Sequence, residues 1–132
     1  MITMEQYVGV HADSPDWTEQ RQENAQKLLV QVNALEESCD FDWPINPATK
    51  SQVSGQTYGG FRPQDCPQGA PHSSHKEGLA VDVYDPQNTL DGALTDEILE
   101  QFELYREAPQ STPHWCHLTI RPPGSGKRTF QP

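Results

Sequence analysis

The chain has 132 residues, a formal net charge of −10 and only 33% hydrophobic residues, which suits one domain with one modest core. The acidic balance excludes a duplex nucleic-acid face, because such a face needs basic side chains to displace counterions. It equally disfavours attraction to an anionic membrane, and no apolar run approaches the roughly 18 residues that a membrane span requires.

Residues 1–13 read as irregular, with an apolar patch at Tyr7, Val8 and Val10. Ser14 before Pro15, or Thr18 before Glu19, supplies a helix start, and Ala25, Leu28, Leu29, Val32 and Leu35 recur at helical spacing. This predicts a helix over about 17–37. The segment 39–50 is a proline-bearing loop anchored by Phe41 and Trp43. From Gln52 to Arg62 the run QVSGQTYGGFR predicts a strand with a bulge or bend, since glycine within a strand marks close backbone approach. A second Pro/Gly-rich loop covers 63–72. In LAVDVYD, residues 79–85, Leu79, Val81 and Val83 alternate with Ala80, Asp82 and Tyr84, a strand pattern that puts Asp82 on the face opposite the valines. Residues 86–93 turn.

Thr95 then caps a second helix with Ile98, Leu99, Phe102 and Tyr105 as its buried stripe, stopped by Pro109. WCHLTIR, residues 115–121, is a short strand, and 122–132 is an irregular tail. The expected architecture is α+β: a small central antiparallel sheet flanked by helices, in a single domain spanning 1–132 with its core at about 14–121. Cys39, Cys66 and Cys116 form no CxxC and read as reduced thiols. With no signal peptide at the N-terminus, the chain is expected in the cytoplasm as synthesised.

The chemistry-bearing residues are His75, Asp82 and His117. Zinc accepts imidazole nitrogen and carboxylate oxygen, and catalytic zinc sites use three protein ligands with one open position for water. Two neutral ligands and one anionic ligand leave the ion enough positive charge to acidify that water. Cys116 neighbours His117 on a strand, so its side chain points to the other face, and Cys66 is a loop bystander.

The segment Ser73-Ser74-His75-Lys76-Glu77-Gly78-Leu79-Ala80-Val81-Asp82 matches SxHxxGxAxD and resembles the signature of the zinc D-Ala-D-Ala carboxypeptidase-like peptidases. That group includes vancomycin-resistance dipeptidases, phage endolysins and the metal-bearing domain of hedgehog. Gly60-Phe61-Arg62 is similar to the family's Gly-Tyr/Phe-Arg element, and Trp115-Cys116-His117 to its Trp-x-His strand, in matching order over 54–121. The opening and the tail also resemble small phage-borne members.

The resemblance implies a hedgehog/D-Ala-D-Ala-peptidase-like fold with one Zn²⁺ per chain on His75, Asp82 and His117. Arg62 would bind substrate and stabilise developing negative charge, and Ser73 would bond substrate or cap the ligand turn. The implied activity is cleavage of peptidoglycan peptides, as a carboxypeptidase or an L-Ala-D-Glu endopeptidase, with release to the cell wall by a separate export or lysis route.

The sequence departs from the family at one position. Active members carry a general-base Glu three residues before the last histidine, and here that position is His114. His114 can be the proton carrier, a fourth ligand that closes the site, or an ordinary surface histidine; Glu103 and Glu107 lie near enough in sequence to substitute. The alternative is a catalytically inactive metal-binding module that recognises a virion or host protein.

Overall fold

The computed structural model describes residues 1–132, and its organisation follows from one long amphipathic helix lying against a small sheet. Helix α2, Glu19–Ser38, is the helix expected at 17–37. The Thr18 side chain accepts a hydrogen bond from the Arg21 amide at its start, and Ala25, Leu28, Leu29, Val32 and Leu35 are its buried face. Each fully buried leucine contributes about 1.5–3 kcal/mol relative to an exposed one.

Residues 1–13 are not irregular. Helix α1 spans Met4–Val8, and a 3-10 turn follows at Gly9–His11. Thr3 and Gln6 form a reciprocal capping box, which satisfies two amides and makes so short a helix worth forming. Ile2, Tyr7 and Val8 enter the core beside α2. The domain core therefore begins at residue 2, well before residue 14.

Strand β1, Ala80–Tyr84, and helices α3, Thr89–Ala93, and α4, Asp96–Gln101, come next in the chain. Residues expected only to turn thus contain α3, whose first amides, Leu90 and Asp91, donate to the buried carboxylate of Asp85 at 3.0 and 2.9 Å. Thr95 caps α4 through the Ile98 amide, but α4 ends at Gln101. Glu103 takes a left-handed φ of 57° and turns the chain away, so Tyr105 belongs to strand β2, Tyr105–Glu107, rather than to a helical stripe.

Strands β3, Trp115–Thr119, and β4, Thr129–Phe130, complete a four-stranded sheet of order β1-β3-β2-β4. The β1–β3 and β3–β2 pairs are antiparallel. The β2–β4 pair is parallel, so the sheet is mixed and the expected irregular tail contributes a strand.

The run expected as a strand at 52–62 touches β1 without becoming one. Val53 bridges Val83, the Tyr84 amide donates to the Gln52 carbonyl at 2.7 Å, and the Asp82 amide to the Gly59 carbonyl at 2.7 Å. Between these contacts the chain folds back on itself at Gly55–Gly59. A Cβ on Gly60 would lie 1.8 Å from the Tyr7 carbonyl oxygen. Glycine there marks the close backbone approach expected from the sequence, but between this segment and α1. No helix is long and apolar enough to cross a membrane.

Candidate metal centre

The first histidine is placed by a tight turn pinned to α2. Ser73 accepts from the His75 amide to open a 3-10 turn at Ser74–Glu77, and Gly78 closes it with φ 74°. A Cβ on Gly78 would meet the Arg21 carbonyl oxygen at 2.5 Å, so both the backbone angle and the α2 contact demand glycine. The Asn24 side-chain amide of α2 donates to the Glu77 carbonyl at 2.9 Å. Ser73 thus has an observed role as the cap of the ligand turn.

Asp82 and His117 are placed by the sheet. They are direct partners in the β1–β3 register, so their side chains share a face a few ångströms apart. His117 Nδ1 lies 2.9 Å and His75 Nε2 3.2 Å from the same oxygen, Oδ1, of Asp82. The two imidazoles stand edge to face with centroids 5.1 Å apart.

One donor of each residue converges, all within 4.8 Å of one another. A first-row divalent ion with ligand bonds of about 2.0–2.2 Å needs donors roughly 3.4 Å apart in a tetrahedron. The two spacings to Asp82 Oδ1, 2.9 and 3.2 Å, sit close to that, and His75, Asp82 and His117 can hold a metal ion.

The protonation pattern supports the fit. His75 Nδ1 lies 2.8 Å from the Gly60 carbonyl, which can only accept, so Nδ1 carries the proton. In the neutral ring, Nε2 is then a bare lone pair. It is buried and has no hydrogen-bond partner despite its approach to Asp82. A lone pair and a carboxylate oxygen face to face repel unless a cation, a proton or a metal ion, lies against both. Burial by itself raises the Asp82 carboxyl, yet in the absence of a metal the His75 and His117 rings, when protonated, outweigh it and hold that group well below the usual carboxylate range.

Arg62 joins the same cluster. Its Nη2 lies 3.3 Å from Asp82 Oδ2, and its Nε donates to the Tyr58 carbonyl at 2.8 Å. The ion pair occupies the Asp82 oxygen that the histidines leave free. Beneath the site the Tyr7 hydroxyl donates to the Ala80 carbonyl at 2.9 Å, and burial, then the Asp82 charge, push its phenol far up.

His114 is not brought to the cluster. It is exposed just before β3, and its Nδ1 donates toward the Pro86 carbonyl at 3.4 Å. It stands three positions from His117, and on an extended chain an odd offset directs two side chains to opposite faces. It is not among the converging donors, and its exposed position matches the ordinary surface histidine of its three readings. Cys116 points away from the cluster as expected: it is fully buried, and burial together with neighbouring Asp91 raises its thiol well above the ordinary value.

Two residues at the site come from segments that gave no strand signal. The β2–β3 register pairs Arg106 with Leu118, and one step further along places Glu107 opposite His117. Glu107 in turn pairs with Phe130 of β4, whose ring stands edge-on to His117 at 6.1 Å. With the β2–β3 register continued by that step, Asp82, His117, Glu107 and Phe130 fall in one row across the four strands. Glu107 is half-buried, and its carboxyl is raised by burial, with His117 pulling it down and Asp82 pushing it up. Glu103 is exposed and lies in the turn after α4.

Comparison of the chain with family models, with curated proteins and with solved structures finds no match. The chemistry of the site therefore rests on its own geometry.

Proposed function

We propose that the chain is a zinc-dependent peptidase of the D-Ala-D-Ala carboxypeptidase-like kind, cutting a short amide bond in peptidoglycan peptides. The observation that carries this reading is the convergence of His75 Nε2, Asp82 Oδ1 and His117 Nδ1, with a buried orphan lone pair among them. Two imidazoles and a carboxylate are the donor set that zinc takes in hydrolytic sites, and the SxHxxGxAxD segment supplies two of the three. A zinc ion held by these three residues would supply Lewis acidity toward a carbonyl oxygen and a bound water.

The chain's own residues do the rest. Gly60 fixes the His75 tautomer through its carbonyl. Asp82 balances the cation on one oxygen and holds Arg62 on the other. Arg62 keeps donors beyond those bonded to Tyr58 and Asp82, and a guanidinium suits a substrate carboxylate or a carbonyl oxygen gaining charge. Phe130 gives the site an apolar wall beside His117.

The test is metal content by mass spectrometry on untagged protein, paired with hydrolysis of peptidoglycan peptides with and without zinc and chelator. About one zinc per chain and chelator-sensitive cleavage are expected. Zinc uptake without cleavage of any peptide bond would replace this reading with a metal-binding module that recognises a protein. Failure to take up zinc would remove both.

A further inference from the structure

The sequence resemblance leaves the reaction without its proton carrier, because His114 stands at the expected position and the fold turns it elsewhere. The sheet puts a carboxylate beside the cation donors by another route. Glu107 lies on β2, which runs along the side of β3 away from β1, so Glu107 flanks His117 on the side opposite Asp82. Directly opposed residues on antiparallel strands have Cβ atoms about 4.5–5.5 Å apart. A glutamate side chain is long enough from there to reach a water held next to the His117 nitrogen.

Its surroundings fit the task. The Glu107 carboxylate takes part in none of the ion pairs of the chain, whereas Asp82 and Asp91 are both engaged. It is half-buried between His117 and the Phe130 strand. The charged groups whose fields act on it are those of His117, Asp82, His75 and Arg62, the members of the candidate centre. Its oxygens carry no ion pair and stand free at the edge of a cation site.

We propose that Glu107 is the catalytic proton carrier, accepting a proton from the attacking water and delivering it to the leaving nitrogen. This rests on the peptidase reading above. In the step, the water oxygen bonds to the amide carbon and the carbon–nitrogen bond breaks, its electron pair going to nitrogen. One water proton passes to a Glu107 oxygen and then to that nitrogen, giving a free amine and a carboxylic acid. No oxidant or further reactant enters.

The experiment compares wild type with Glu107→Gln, Glu107→Asp and His114→Ala, loaded with zinc or with cobalt, on a peptide containing L-Ala-D-Glu and D-Ala-D-Ala bonds. Glu107→Gln is expected to lower kcat by about 10²–10⁴-fold with KM and cobalt stoichiometry little changed. Glu107→Asp should recover part of the loss, and His114→Ala should retain wild-type turnover. A Glu107→Gln variant that turns over like wild type, or a His114→Ala variant that takes the loss instead, overturns the proposal while leaving the peptidase reading intact.

The visible cobalt spectrum separates the two claims. A carboxylate in contact with water at the cation moves the pH midpoint of the cobalt band, so Glu107→Gln should shift it by about one unit. If wild-type protein binds cobalt but cuts neither bond, the peptidase reading fails; an unshifted midpoint overturns the placement of Glu107 itself.

Discussion

Asp82 and His117 are register partners on β1 and β3, and the 2.9 Å between Asp82 Oδ1 and His117 Nδ1 is set by the sheet rather than by a loop. His75 enters from outside the sheet, on a turn that α2 holds through Asn24 and the Arg21–Gly78 contact. Two donors are therefore as rigid as the strand pairing, and the third is as rigid as one helix-anchored turn. Such preorganisation is what tight cation binding requires.

Metal should stabilise the fold, and the donors should decide it. At a free zinc concentration about 100-fold above Kd, binding to the native state adds about 2.7 kcal/mol. For a domain of this size that raises Tm by on the order of 10 °C. His75→Ala and His117→Ala should abolish the zinc-dependent rise, as read by differential scanning fluorimetry with and without chelator. An undiminished rise in both variants would place the ion elsewhere.

His114→Ala should be nearly silent. The residue is exposed with one long contact to Pro86, so the change in stability should stay within about 0.5 kcal/mol. Zinc affinity by competition titration should match wild type. A large loss of affinity would mean that His114 ligates after all.

The metal-free protein should show two pH effects of opposite sign. Asp82 has a folded-state value below its unfolded one, so it contributes stability above about pH 3.9 that is lost as pH falls. Asp82→Asn should flatten the acid limb of a urea-denaturation series in that window. Glu107 has a folded-state value above its unfolded one. Its contribution is fully present below about pH 4.3 and is lost as pH rises through the folded value. Glu107→Gln should therefore make the metal-free protein more stable near neutrality, and an unchanged midpoint there would contradict the burial of that carboxylate.

Gly60→Ala should damage fold and site together. The added methyl would sit 1.8 Å from the Tyr7 carbonyl oxygen, a backbone atom that cannot swing aside. Overpacking of this kind costs about 1–3 kcal/mol. Because the Gly60 carbonyl also anchors His75 Nδ1, zinc affinity should fall as well. Loss of stability with undiminished affinity would show that the His75 ring is held by other contacts.

The parts of this arrangement legible in sequence are those with local signals. The α2 stripe, the alternation in β1 and the small residues around His75 each encode themselves within about ten positions, and the three donors stood out by type. What was missed depends on distant pairing. Strand β2 is only Tyr105–Glu107, too short to show alternation, and it continues without a gap from what reads as a helical stripe. Strand β4 is two residues, visible only through its partner. Helix α1 did carry a signal, the Thr3–Gln6 box, but five residues give no periodicity to confirm it. Glu107 owes its place to both misread segments, so no local pattern could rank it above Glu103.

The return of the tail has a practical side. Phe130 stands 6.1 Å from His117, and Gln131 and Pro132 can carry the chain at most about 7 Å further. Polypeptide fused after Pro132 therefore starts within reach of the cation donors. A histidine-rich purification tag fused there would compete for the ion and could fill the open coordination position, silencing the protein by its own handle. The same tag placed before Met1 would begin at the far end of α2, where Met1 pairs with Glu36.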